Sequence, residues 1–217
     1  MKTIILLFPL FLVQTVFAQN PSIKVVDTDF SKGRLTHQQV ITLNDAEKLH
    51  GHLCDGLAMG FISLQQALYT LYPDSIIDRT NTRIISKSSP CLADIGIFLS
   101  GGRYQYNSFR INDSIPYLFI AQRIDNGKTV AVQLNPGIKP QRIDEMGKLA
   151  IQQKLNPCQL NELKQLEEKF TLKLLSQPPK TLFTVIQLPP IEWPKNAYQQ
   201  FIKTDIINKS MNTCIQN

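Results

Sequence analysis

The segment His50-Gly51-His52-Leu53-Cys54 places two imidazoles and a thiol within five residues. Both groups are good ligands for zinc and other borderline divalent metals. Gly51 allows a tight bend between the rings, and a cysteine at the start of the following helix has its thiolate favoured by exposed amides. Donors this close together cannot complete a tetrahedral site, so a distant one is needed. Cys91, preceded by Pro90 at another predicted helix start, is the obvious candidate. On a metal-binding reading, His52, Cys54 and Cys91 are expected as the principal ligands, with His50 as a fourth ligand or an outer partner. Asp94, one helical turn beyond Cys91, faces the same side and could orient a ligand or act as a general base. The same residues leave other chemistry open. The histidines could cap the preceding helix, and the two cysteines could form a structural disulfide. They could also work as a redox pair, with Cys54 as nucleophile and Cys91 as resolving thiol. Cys158 and Cys214 lie outside any ligand-like spacing, and a disulfide between them is expected to tie down the C-terminal tail.

These groups need elements to hold them. Asn44-Asp45-Ala46-Glu47 predicts a short helix start, with acids where the positive helix end favours them. Beyond Gly51, the three- and four-residue spacing of Leu57, Gly60, Phe61, Leu64, Leu68 and Leu71 predicts a helix with one apolar face, stopped by Pro73. A strand-like run spans Thr82 to Ser86, and a buried helix runs from Cys91 to Leu99, ending at Gly101-Gly102. Tyr117 to Arg123 and Lys128 to Leu134 flank Asp125-Asn126-Gly127, a strong hairpin signal. A helix is expected from Asp144 to Leu155. The stripe Leu160, Leu163, Leu166, Phe170 and Leu174 forms another, and Leu182 to Leu188 forms a last strand. Gln19 to Gln38 is mixed and polar, and reads as an N-terminal arm. Helices and strands do not alternate regularly, so the class is α+β, with helices on a mainly antiparallel sheet.

The 217 residues are 43% hydrophobic and 18% charged, which argues against a largely disordered chain. The net charge of +6 is scattered and not concentrated with aromatics, so no nucleic-acid partner is expected. Gly101-Gly102 lacks a following Lys-Ser/Thr, which argues against a phosphate loop. Residues 1–18 read as a signal peptide, with Lys2 as the positive end, Ile4 to Val13 as the apolar core and Val16-Phe17-Ala18 as the cleavage site. Once it is removed, no later run is long and apolar enough to span a bilayer. The mature protein is therefore expected to be exported, periplasmic or secreted.

His50-Gly51-His52-Leu53-Cys54-Asp55-Gly56-Leu57-Ala58-Met59-Gly60 resembles the H-G-H-x-C-P-G-x-x-x-G motif of the FmdE family, named for a component of formylmethanofuran dehydrogenase. Cys91-Leu92-Ala93-Asp94 with Ser100-Gly101 is similar to the family's second motif, and the resemblance runs from Leu43 to Leu134. It implies an α+β core, here 19–140, with residues 141–217 as a C-terminal extension of helices and a strand packed on it. It also implies a homodimer and a cleft carrying His50, His52, Cys54, Cys91 and Asp94, with an associated metal, typically zinc. Two departures stand out. Asp55 replaces the family's proline, and Gln105 and Tyr106 stand where a glycine and a lysine usually follow the second motif, with Arg103 nearby. The function expected is an exported protein that binds zinc or another divalent transition metal and meets an unknown small-molecule or protein partner. A non-catalytic accessory module and a thiol-redox protein are the alternatives.

Overall fold

The computed structural model describes residues 20–193 and 203–214. The expected signal peptide lies outside the described residues. Among them, six α-helices and two sheets form an α+β fold. No helix among the described residues is long and apolar enough to cross a membrane.

The N-terminal stretch is a correction to the sequence reading. It is not an arm but two antiparallel strands, β1 (Ser22–Thr28) and β2 (Leu35–Thr42). Ser22-Ile23-Lys24-Val25 alternates polar and apolar, and the sheet buries Ile23 and Val25 while Ser22 and Lys24 face out. A short strand, β3 (Ile76–Asp78), joins β1 in parallel and completes a sheet of order β2-β1-β3.

The expected helices form, all but one close to their predicted limits; the helix expected from Asp144 to Leu155 runs from Gln141 to Ile151, about a turn earlier. Helix α1 (Leu43–His50) starts from a capping box. The Thr42 hydroxyl accepts from the Asp45 amide at 3.2 Å, and the Asp45 carboxylate accepts from the Thr42 amide at 3.0 Å. Hydrogen bonds from the Thr42 hydroxyl, the Thr42 amide and Lys48 hold the Asp45 carboxyl at about 2, below its usual 3.8. A depressed carboxyl stabilises the fold fully above its ordinary range and loses that contribution as pH falls through the depressed value. We therefore expect Asp45→Asn to lower the thermal midpoint near neutrality, and the gap from the parent protein to close as pH approaches about 2. Thr42→Ala should cost roughly 1 kcal/mol in a denaturant titration.

Helix α2 (Asp55–Leu71) is the central element and packs against its neighbours on several sides. Helix α3 (Pro90–Ser100) is capped by the Ser89 side chain, has Pro90 in its first turn, and ends in the left-handed region at Gly101. The second sheet contains β4 (Thr82–Ser86), β5 (Phe109–Ile111), β6 (Phe119–Arg123), β7 (Thr129–Leu134) and β8 (Phe183–Leu188), in the order β5-β4-β6-β7-β8. Only the β4–β5 pair is parallel, so the sheet is mainly antiparallel. Gly127, at φ 70°, turns the expected β6–β7 hairpin.

The C-terminal part completes this core. Helices α4 (Gln141–Ile151) and α5 (Pro157–Ser176) add Ile143, Met146, Leu163, Phe170 and Leu174 to the cluster that buries Phe61, Leu64 and Leu68 of α2. Leu160, expected in the α5 stripe, stays exposed. After the short α6 (Pro179–Leu182), β8 closes the sheet against β7.

No disulfide joins Cys158 and Cys214, and both side chains are exposed. Cys158 opens α5, whereas the C-terminal segment docks elsewhere. There the Lys209 carbonyl accepts from the Leu35 amide at 3.1 Å, and the Asn208 side chain donates to the Lys32 carbonyl at 2.6 Å. The tail is held by hydrogen bonds beside β2, and not by a cross-link to α5.

Candidate metal centre

Three elements meet at the site. His50 is the last residue of α1, Cys54 is the N-cap of α2, and Cys91 lies in the first turn of α3. Gly51, at φ 101°, turns the chain out of α1. The Cys54 sulfur then accepts from the Leu57 amide at 3.3 Å, taking the place of a capping oxygen. Cys54 Sγ lies 3.5 Å from Cys91 Sγ, and His50 Nε2 lies 3.6 Å from Cys91 Sγ and 3.9 Å from Cys54 Sγ. The sulfurs are in contact but not bonded, since a disulfide needs about 2.05 Å.

The third side of the site is Asp94. Its carboxylate lies 2.8 Å from His50 Nδ1, and the His50 ring is almost fully enclosed. A carboxylate there accepts the Nδ1 proton and leaves the Nε2 lone pair pointing at the two sulfurs. Of the two roles open to Asp94, the geometry is that of an orienting residue, because its acceptor is committed to the imidazole. Burial disfavours a charged His50, but Asp94 and Cys54 outweigh it and raise the pKa above the usual 6.5. We expect Asp94→Ala to weaken metal binding about 10–100-fold in a chelator competition, with Asp94→Asn intermediate because its amide oxygen can still accept.

The thiols behave as a pair. The hydrogen bond from Cys54, opposed by burial, lowers the Cys91 thiol to about 7, and the same contact together with burial pushes Cys54 up. One proton shared between two sulfurs makes the first ionisation easy and the second hard. A cation placed between them removes that second cost.

His50, Cys54 and Cys91 are the group among the described residues that could hold a metal ion. Their spacing fits one. Bonds of about 2.3 Å to sulfur and 2.0–2.1 Å to nitrogen in a tetrahedron separate two sulfurs by about 3.8 Å and a sulfur from a nitrogen by about 3.5 Å. The observed triangle of 3.5, 3.6 and 3.9 Å lies within a few tenths of an ångström of this. Two thiolates and an imidazole are also a donor set that suits zinc.

The expected order of the two histidines is reversed. His52 is exposed and outside the ligand group, its ring tilted by 40° against that of His50 at 4.8 Å between centroids. The left-handed turn at Gly51 sends the first ring toward the sulfurs and the second toward solvent. There His52 lines a cleft of about 680 Å³ with Leu53, Cys54, Glu167, Leu172 and Leu175. Arg103 is exposed and donates to the Gly102 carbonyl at 3.0 Å, and it does not line the cleft.

Two features of the site have no assigned role in the sequence reading. Gly56 lies under Cys91, where an added Cβ would come within 2.8 Å of its sulfur. The cleft wall on α5 is the other. Lys164, Glu168, Thr171, Leu172 and Leu175 recur at helical spacing, but on a different face from the core stripe.

A family model described as FmdE, molybdenum formylmethanofuran dehydrogenase operon, matches residues 49–184, more than half of the chain. The chain belongs to the FmdE family. The match takes in His50, Cys54, Cys91 and Asp94, and runs through α4, α5 and α6 to the start of β8. No curated protein is similar enough to add to this. Asp55 takes the place of the FmdE family's usual proline. It is buried in the first turn of α2, 3.8 Å from Lys139, which is 2.7 Å from Asp144. Burial pushes its carboxyl up and Lys139 only partly opposes this, and its charge in turn acts to raise both thiols.

Proposed function

We propose that this FmdE-family protein is an exported metal-binding protein. In this reading His50, Cys54 and Cys91 hold one zinc or other divalent transition ion and leave one position open toward the cleft. The observation that carries it is the triangle of Nε2 and two sulfurs, with the Asp94 carboxylate fixing the imidazole from behind. Three protein ligands with an open position is the arrangement of catalytic zinc sites, whereas structural sites are closed by four.

Such an ion supplies Lewis acidity and lowers the pKa of a water bound to it. The chain's own residues do the rest. Cys54 sits at the cleft mouth, and Asp94 keeps His50 in one tautomer. Leu53, Leu172 and Leu175 give the cleft an apolar wall. Glu167 faces the same cleft, with its carboxyl raised by burial and by Asp55 against the pull of Lys139, so it can hold a proton near bound substrate.

Elemental analysis of protein purified without chelators tests the reading, with about one equivalent of metal per chain expected. Metal-free protein whose Cys54 and Cys91 resist alkylation until reduced would favour the thiol-redox alternative, which the 3.5 Å sulfur contact also suits. Export rests on Lys2 and the Ile4 to Val13 run, and the homodimer on the family. Cell fractionation and light scattering check each.

A further inference from the structure

Two of the chain's exposed large apolar side chains, Leu53 at 40% and Leu172 at 59% exposure, stand in the wall of the cleft that opens on Cys54. Leu175 continues the apolar surface along α5. At about 680 Å³ the cleft has the volume of a small-molecule site, for which roughly 300–1,000 Å³ is usual. Its charges are arranged against an anion. Lys164, the one lysine or arginine in the wall among the described residues, is 3.6 Å from Glu168, and Glu167 adds a further carboxyl. A phosphate or a polycarboxylate would meet acids and a paired lysine, whereas an alkyl chain would cover leucines now facing water.

From this wall we infer that the cleft takes an uncharged aliphatic chain bearing one metal-binding head group. The head lies beside Cys54 at the open position, and the chain runs along Leu53, Leu172 and Leu175. The inference rests on the metal-centre reading and names the ligand class of that site. The head supplies the donor that the three protein ligands lack, and the chain supplies affinity through area removed from water.

The test uses the full-length protein loaded with cobalt, whose thiolate absorption reports the centre directly. Simple alkyl hydroxamates, from acetohydroxamate to octanohydroxamate, are titrated against that absorption. Affinity should rise about two- to fourfold for each added methylene. Leu172→Asp, a change at an exposed position, should flatten the series while leaving the cobalt–thiolate spectrum of the free protein unchanged. A flat series in the parent protein, with the absorption intact, overturns the inference and spares the metal centre. So does a preference for a carboxylate-tailed hydroxamate over the alkyl one. Affinities that fall as protein concentration rises would assign the cleft to a second copy of the chain and likewise overturn it. Absence of the cobalt–thiolate absorption removes the metal reading, and this inference with it.

Discussion

Cys91→Ala and His50→Ala are each expected to abolish stoichiometric metal binding, while His52→Ala retains it. The contrast between the two histidines is the sharper part. Both belong to the same short motif, separated by one glycine, and either could be a ligand on chemistry alone. Only His50 presents Nε2 to the two sulfurs, at 3.6 and 3.9 Å, with its other nitrogen engaged by Asp94. Losing a direct ligand should cost more than the roughly 10–100-fold that loss of an outer partner costs. Metal content after dialysis against a weak chelator should then fall from about one equivalent to near none for His50→Ala, Cys54→Ala and Cys91→Ala. His52→Ala removes a ring tilted against His50 and part of the cleft wall, neither of them a ligand, and should lose a few-fold in affinity at most. If His52→Ala lost its metal while His50→Ala kept it, the geometry assigned to the centre would be wrong.

Gly56→Ala should damage the centre without touching a ligand. An added Cβ would lie 2.8 Å from Cys91 Sγ, closer than real Cβ contacts come, and a tight 3.1 Å from Cys91 Cβ. Either the Cys91 side chain rotates away from Cys54 or the start of α3 moves off α2, and both open the triangle. Overpacking of this kind costs typically 1–3 kcal/mol, more than the roughly 1 kcal/mol that alanine gains over glycine in a helix interior. The expected result is a lower thermal midpoint together with weaker metal binding, by an order of magnitude or more in chelator competition.

Two other glycines serve as controls. At Gly60, one turn further along α2, an added Cβ meets the Leu92 side chain at 3.2 Å and the Ile95 side chain at 3.3 Å, contacts relieved by a shift of a few tenths of an ångström away from the sulfurs, so alanine there should leave metal affinity nearly unchanged. Gly51 has open space around it but φ 101°, so alanine there strains the turn that separates the two histidines. A Gly56→Ala protein with parental metal affinity would show that α2 and α3 are not in register at the centre.

Much of the scaffold is legible along the chain because its signals are local. The spacing from Leu57 to Leu71 marks α2 and Pro73 its end, while Gly101 and Asn126-Gly127 mark turns that need left-handed backbone. The pairing of Cys54 with Cys91 was also readable, because both lie where exposed helix amides favour a thiolate. What escaped has a physical reason in each case. The strands Ile76–Asp78 and Phe109–Ile111 are three residues long, too short for an alternating pattern, and each is held by parallel pairing to a distant strand. The Ile23-Lys24-Val25 alternation was present but brief, within a stretch whose polar composition dominates.

Sequence by itself determined the donor types, the α+β class and the family, because these depend on residue identity and short-range spacing. Tertiary structure alone decided which imidazole faces the sulfurs, that Asp94 backs it, that Gly56 sets the approach of α3, and that the C-terminal tail is tied by hydrogen bonds beside β2. Those outcomes depend on the direction in which a side chain leaves its turn and on which surface packs against it. Residues such as His50 and Asp94, forty-four positions apart, meet only because α1 and α3 pack together.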